Sequence, residues 1–380
     1  MGEVDYVARV QRCTQSLHYS GKYDVVLVGL KSRDGKHTPK FDFSVELIRL
    51  FSRRMSFPGV VALRVMEAYA RFTLKLWQAN ADIYVAHDVM VLVVARLIAV
   101  IRNTKVIYNS DELEPCRNTH ERSVLSRLVT RCRALCERRL APGADLLIQA
   151  DYSRADWLKT YLNVRNVEAI RNLPATIHVT DRNKIREVLN LDKDAFLVLY
   201  QGMQSRGRGL EITLDAIAEL RDRRIHFVIL GPSSVEYRSE LRRLSERLGI
   251  SENVWILPAV PYRELLHWSA SADVLVALIE NTCKSYYLAA PNKFYEAMMV
   301  GVPYIASNHP EMQMVHARFP AGLLVPPNER DAIVRAIVRL RDDREFYRNA
   351  CREAKRAVED EYCWEKEEIR WLKMVGEIKT

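Results

Sequence analysis

Between Glu280 and Glu311 the sequence holds one acid, Glu296, set among Phe294, Tyr295, Ala297, Met298 and Met299 and one turn past Pro291-Asn292-Lys293. The spacing predicts a short helix that starts at the Pro-Asn pair, with Asn292 capping its free amides. It should end where Gly301 takes a left-handed turn, ahead of a buried strand. A helix start offers unpaired N–H groups and the positive end of a dipole, which suits a phosphate. Glu296, one turn further on, can accept hydrogen bonds from sugar hydroxyls. Together they point to a nucleotide diphosphate, while the plain alternative is a solvated acid on an amphipathic helix.

Three further clusters place polar groups where a ligand could approach. Residues 196–201 read as a strand running into Gly202, Gly207 and Gly209, with Arg206 and Arg208 between the glycines and a helix beyond. Such a turn lets the main chain come close to a phosphate, and either arginine can supply charge. A second glycine turn, at Gly231, follows the strand at 226–230. In the first half, residues 82–86 form a strand ending in His87-Asp88, and residues 105–110 form one ending in Asp111-Glu112. Ligands of parallel sheets bind at the carboxyl ends of the strands, so these four residues are site candidates.

The elements that must position these groups alternate along the chain. A helix at 5–20 passes through Gly21 into a strand at 23–30. Apolar faces predict helices over 43–55 and 60–80, studded with Arg49, Arg53, Arg54, Arg64, Arg71 and Lys75. Helices of that make-up either pack in a core or lie on an anionic bilayer. Helices at 91–101, 121–141 and 153–162 and strands at 145–149 and 167–171 follow, then a polar linker reaching to Asp192. Strands near 196, 226, 254 and 273 repeat the pattern, with helices between and after them. The order of strand, polar tip and helix predicts an α/β protein with parallel sheets.

Pro291-Asn292-Lys293-Phe294-Tyr295-Glu296, with Gly301-Val302-Pro303, resembles the donor-site helix of retaining GT-B glycosyltransferases, in the group called glycosyltransferase family 4 (glycosyl transferases group 1). The resemblance implies two Rossmann-like domains with a cleft between them. Residues 1–175 would form the acceptor side, 176–362 the nucleotide-sugar side, and 363–380 a helix returning to the first domain. It implies that Glu296 holds the ribose and that the helix start at Asn292, Lys293 and Phe294 faces the diphosphate. Arg208 matches the family's diphosphate-binding base, and Arg206 substitutes for the one usual after the first glycine, where Met203 stands. Gly202 and Gly231 complete the donor side. His87, Asp88, Asp111 and Glu112 match the family's His-Asp and Asp-x-His-Glu motifs near the transferred sugar and the acceptor, although the second reads Asn109-Ser110-Asp111. The catalytic set would be His87, Arg208 and Glu296. A further Glu usual eight positions before Glu296 is Leu288 here, which leaves the sugar hydroxyls without an obvious acidic partner. The family also places a strand and a Gly-rich loop ahead of the first helix. With four residues before Asp5, the first strand of the N-terminal domain is expected to be missing.

Composition bounds the partners. The 380 residues suffice for two full cores, and 48% hydrophobic residues argue against disorder. A net charge of +9 favours contact with phosphates, nucleic acid or an anionic membrane. The excess is concentrated: residues 31–75 hold ten basic and four acidic residues, so the first domain is the candidate for such contact. Seven cysteines without Cys-x-x-Cys or Cys/His spacing predict reduced thiols and no metal site. With neither a spanning helix nor a signal peptide in the sequence, a cytoplasmic protein is expected, peripheral on the inner face of the cell membrane if the basic helices bind lipid.

The predicted function is retaining transfer of a sugar from a UDP- or GDP-sugar, with no cofactor or metal. Retaining members of the family are thought to react on the donor's front face, the leaving phosphate helping to take the acceptor's proton. The acceptor is expected to be a lipid-linked saccharide, or else a soluble small molecule. Two rivals stand beside it. A nucleotide-sugar epimerase or hydrolase on the same fold would use Asp88, Asp111 or Glu112 as acid or base. A non-catalytic binder of nucleotide or nucleic acid would suit the charge, but no motif specific to nucleic acid is present.

Overall fold

The computed structural model describes residues 8–31, 41–55, 60–110, 112–116, 124–179 and 181–378. The chain divides into two units, Met1–Asn172 with Glu368–Thr380, and Leu173–Glu367.

Unit 1 runs α1 (Ala8–Tyr19), β1 (Val26–Leu30), β2 (Ser44–Ile48), α2 (Val60–Ala79), β3 (Ile83–Ala86), α3 (Val89–Arg102), β4 (Lys105–Ser110), α4 (Val124–Leu140), β5 (Leu146–Gln149), α5 (Tyr152–Leu162) and β6 (Glu168–Ala169). Every strand pair is parallel. Among the described residues the strands form two sheets, β1-β2 and β3-β4-β5-β6. The first is anchored where Leu30 and Ile48 pack on Phe72 of α2. Helix α3 begins at Asp88, whose side chain accepts the Met90 amide at 2.7 Å, a cap that stabilises a helix by about 1 kcal/mol.

The helix expected over 43–55 is corrected by the structure: Ser44–Ile48 is a strand, and Phe51–Arg54 is one 3-10 turn. Phe43, Val45 and Leu47 alternate with Ser44 and Glu46, a period of two as well as a partial helical face, and pairing with β1 decides between them. Glu67 of α2 then accepts the Phe51 and Ser52 amides at 2.8 and 2.9 Å, which satisfies the turn without extending it. Helix α2 forms as predicted. The expectation that the first strand is missing ahead of α1 concerns residues that lie outside the described ones.

Unit 2 contains α6 (Lys184–Leu189), β7 (Phe196–Gln201), α7 (Leu210–Leu220), β8 (Ile225–Leu230), α8 (Val235–Arg247), β9 (Val254–Leu257), α9 (Tyr262–Ala270), β10 (Val274–Ala277), α10 (Lys284–Tyr287), α11 (Asn292–Met299), β11 (Tyr304–Ser307), α12 (Pro310–Arg318), β12 (Gly322–Val325), α13 (Arg330–Asp342) and α14 (Arg344–Asp360). Helix α15 (Trp364–Gly376) carries the boundary between the units. The parallel sheet has the order β12-β11-β10-β7-β8-β9. Its strands are buried on both faces: α9, α11 and α14 cover one side through Trp268, Phe294 and Ala354, and α7, α8 and α13 the other through Leu214, Leu241 and Ile337. The order reverses between β7 and β10. In a doubly wound sheet that switch point opens a crevice beyond the carboxyl ends of the strands.

None of the described helices is long and apolar enough to cross a membrane. No disulfide joins the seven cysteines.

Candidate functional site

The switch point of unit 2 gathers most of the residues singled out from the sequence. Strand β7 ends at Gln201, and Gly202 follows with φ +118°, a value that favours glycine. The next turn along the sheet, at Gly231, comes so close that a Cβ there would sit 2.0 Å from the Gly202 carbonyl oxygen. Gln204 staples the two turns together, its amide donating to the Gly231 carbonyl at 2.9 Å and to that of Leu257 at 3.1 Å.

Lys293 reaches this loop from the first turn of α11. It is 6% exposed, with Nζ 3.3 Å from the centroid of the Tyr200 ring. Its Cε and Nζ lie 3.7 Å from where a Cβ on Gly202 would stand. Burial, and then the charge of Arg208, pull its pKa well below the usual lysine range, while Glu296 acts the other way. Arg208 stacks its guanidinium 4.7 Å from the Tyr286 ring centre and donates to the Tyr286 hydroxyl at 3.4 Å. Its Nε is buried without a partner. Two basic side chains, a glycine turn and a helix start thus meet with no carboxylate paired to either base among the described ion pairs, an arrangement suited to a dianionic group.

Glu296, 5% exposed, sits one turn along α11 from Asn292. Gln201 donates to its carboxylate at 2.5 Å, and the Ser269 hydroxyl donates to the Gln201 carbonyl at 2.5 Å, so the acid is held in one orientation. Asn292 does not cap the helix as expected: Pro291, with an extended backbone, occupies the N-cap position, and Asn292 is the first helical residue. Gly301 takes φ +68° just beyond the helix, as the sequence indicated.

Two donor-side candidates are placed elsewhere. Phe294 is fully buried and packs 4.5 Å from the ring centre of Tyr304, a core position with no surface for a ligand. Arg206, 59% exposed, turns to α8 and pairs with Glu240 at 2.8 Å. Gln201, Gln204 and Ser269 were missed in the sequence, where nothing in an amide or hydroxyl on a strand end or helix marks it as a member of a network.

In unit 1, His87, Asp88 and Glu112 line one cavity of about 740 Å³. Burial, with a smaller push from Arg9, lowers the His87 pKa to about 3, and its Nδ1 has no partner. Asp88 pairs with Arg133 at 3.0 Å, and Arg133 also holds Glu114. Asp111 lies outside the described residues. Among those residues no three His, Cys, Asp or Glu side chains are grouped as metal ligands.

Residues 181–357 match the family model described as glycosyl transferases group 1. Among curated proteins, the D-inositol 3-phosphate glycosyltransferase of Streptomyces avermitilis is 29% identical over 230 residues, which is 56% of this chain and 47% of that protein. The one from Frankia alni is 31% identical over 159 residues, 40% and 38% of the two chains. The chain spans about half or less of the length of these relatives. Among solved structures, sucrose-phosphate synthase of Thermosynechococcus elongatus superposes with a TM-score of 0.77 at 20% identity, covering 97% of this chain and 92% of that one. HepE of Anabaena, in complex with UDP-glucose, gives 0.70 at 16% identity, with 99% and 98% covered. These likenesses establish the fold, which is GT-B. The likeness to the glycosyl transferases group 1 family thus lies within the second unit of the chain.

Proposed function

We propose that the protein is a glycosyltransferase that moves a sugar from a nucleoside-diphosphate sugar, UDP- or GDP-linked, to an acceptor. The observation that carries this reading is the pairing of Lys293 and Arg208 at the Gly202 turn with the ordered carboxylate of Glu296 one helical turn away. The cations and the α11 start would bind the diphosphate, and Glu296 the ribose. The solved complex of HepE with UDP-glucose, on the same fold, supports this class of donor.

Departure of the nucleoside diphosphate builds charge on its phosphate oxygens. Arg208, Lys293 and the α11 amides stabilise that charge as it forms, without a metal or cofactor. A dianion beside Lys293 would favour its ammonium form, so donor binding takes up a proton and weakens as the pH rises. The reaction retains configuration, the acceptor attacking on the face the diphosphate leaves.

The acceptor belongs to unit 1, near His87, Asp88 and Glu112. A lipid-linked saccharide at an anionic membrane surface on the cytoplasmic side fits best. Leu63, Met66, Leu74 and Trp77 of α2 and Val100 and Ile101 of α3 are exposed, and Arg102 lies 3.9 Å over the Trp77 ring. Exposed apolar groups interleaved with arginine suit a lipid head-group layer.

A thermal-shift screen of UDP, GDP, ADP and UDP-glucose tests the donor site, since a ligand bound only by the folded state raises the melting temperature. One nucleotide should stabilise the wild type and lose that effect in Glu296→Ala. No shift with any of the four would overturn the reading.

A further inference from the structure

Several arginines of unit 2 are held by carboxylates. Arg186 pairs with Asp273 at 2.6 Å, Arg341 with Asp222 at 2.9 Å, and Arg206, in the glycine turn itself, with Glu240 at 2.8 Å. Arg208, two residues on, has no carboxylate among the described ion pairs and lies over a ring instead. Its guanidinium carbon is 4.7 Å from the centre of Tyr286, and its Nη2 donates to the Tyr286 hydroxyl at the long distance of 3.4 Å. Lys293, the other base of the site, lies in the same way over Tyr200, whose hydroxyl donates to the Met203 carbonyl at 2.5 Å.

The segment after β10 brings Tyr286 there. The Glu280 amide donates to the Gly207 carbonyl at 3.0 Å, which ties the segment to the turn. Helix α10 is a single turn whose Tyr286 and Tyr287 amides both donate to the Cys283 carbonyl at 3.0 Å. Gly207 takes φ +78°, and a Cβ on it would stand 3.7 Å from Cε2 of Tyr286, so the half-buried ring packs directly against the turn that carries Arg208. A carboxylate in that place would neutralise the guanidinium and repel a phosphate. A ring attracts a cation through its quadrupole but carries no net charge, and a guanidinium lying over a ring keeps the N–H groups in its own plane open at their edges. The ring therefore fixes the base and leaves its charge to an incoming anion.

We propose that Tyr286 is a positioning residue for the donor diphosphate: its ring face holds the Arg208 guanidinium in the glycine turn, and its hydroxyl gives up the Nη2 bond to a phosphate oxygen when the donor binds. Tyr286 acts through Arg208 and not on the substrate. The proposal rests on the donor reading of this site, and adds to it a residue that neither the glycine spacing nor the α11 start points to.

Tyr286→Leu and Tyr286→Met remove the ring, and Tyr286→Phe removes only the hydroxyl. UDP and GDP are each titrated by calorimetry into the wild type, these variants, Arg208→Ala and the double variant Arg208→Ala/Tyr286→Leu, and every protein is also melted without nucleotide. The nucleotide that binds the wild type should bind Tyr286→Phe within about twofold, and the Leu and Met variants about fivefold or more weakly. Once Arg208 is alanine, Tyr286→Leu should cost less than about twofold, because a residue that acts through another has no effect when that other is gone. Melting temperatures of the nucleotide-free variants should stay close to that of the wild type. Wild-type affinity in the ring-less variants, or the same loss with and without Arg208, would overturn the proposal. So would an equal loss in Tyr286→Phe, which would make the hydroxyl and not the ring the acting group. These three outcomes leave the donor reading standing, whereas binding of neither nucleotide by the wild type would overturn that reading and the proposal with it.

Discussion

The two units are built on the same alternation of strand and helix, yet unit 2 closes six strands into one sheet whereas the six described strands of unit 1 fall into groups of two and four. The difference lies at the centre. In unit 2 the middle strand, β7, delivers the Gly202 turn, around which the basic side chains of Arg208 and Lys293 gather. In unit 1 the middle is a cavity, and the polar residues at its rim are fixed to one another through Arg133, Asp88 and Glu114. In the first region the basic side chains lack a paired carboxylate among the described ion pairs, whereas in the second the charges are paired with one another.

The sharpest way to break that contrast is Arg208→Ala. Arg208 makes one long hydrogen bond within the fold, so its loss should leave the melting temperature nearly unchanged while lowering donor turnover on the order of 10²–10³-fold. Arg206→Ala, which removes an exposed pair with Glu240, serves as the control and should leave turnover near wild type. Equal losses from both would mean that the charge of the turn, and not its geometry, matters.

Unit 1 should respond to pH through one buried acid. Glu137 is fully buried and accepts from the Tyr108 hydroxyl at 2.7 Å. Burial, reinforced by Glu114 and opposed by the bonds from Tyr108 and Ser110 and by Arg133, raises its pKa to about 7. A carboxyl raised above its unfolded value stabilises the fold fully below the unfolded pKa, and that stabilisation is lost as pH rises through the folded one. Unfolding free energy should therefore fall by a few kcal/mol, on the order of 1.4 per pKa unit, between about pH 4.5 and 7. Glu137→Gln should flatten this slope in urea titrations, and an unaltered slope would assign it to other groups.

The smallest effect is expected at Gln204→Ala, which strips the Gly231 and Leu257 carbonyls of a buried donor and should cost about 1–3 kcal/mol in urea unfolding. A loss below roughly 0.5 kcal/mol would mean that water replaces the amide.

Much of this architecture was legible in the sequence, because buried parallel strands such as 225–230 and 274–277 read as apolar runs and the glycines after them mark turns. Residues 43–55 read as helix in the sequence and are strand and turn in the structure, since their apolar positions satisfy both periods and only the partner strand chooses. The donor-side positions divide for a similar reason. Lys293 and Phe294 are adjacent in α11, and sequence alone does not say which faces the Gly202 turn and which the core. The amides of Gln201 and Gln204 act through backbone and carboxylate groups remote in sequence, which no local spacing encodes.

The placement of α15 bears on how the polypeptide is made. Trp371, fully buried, donates its indole N–H to the Cys13 carbonyl at 3.0 Å, closing a contact across 358 positions. Unit 2 is one continuous segment and can fold as soon as it has left the ribosome. The core of unit 1 waits for residues synthesised after all of unit 2, so its N-terminal portion emerges first and is completed last. During that interval the apolar surface that Trp371 covers is open to chaperones.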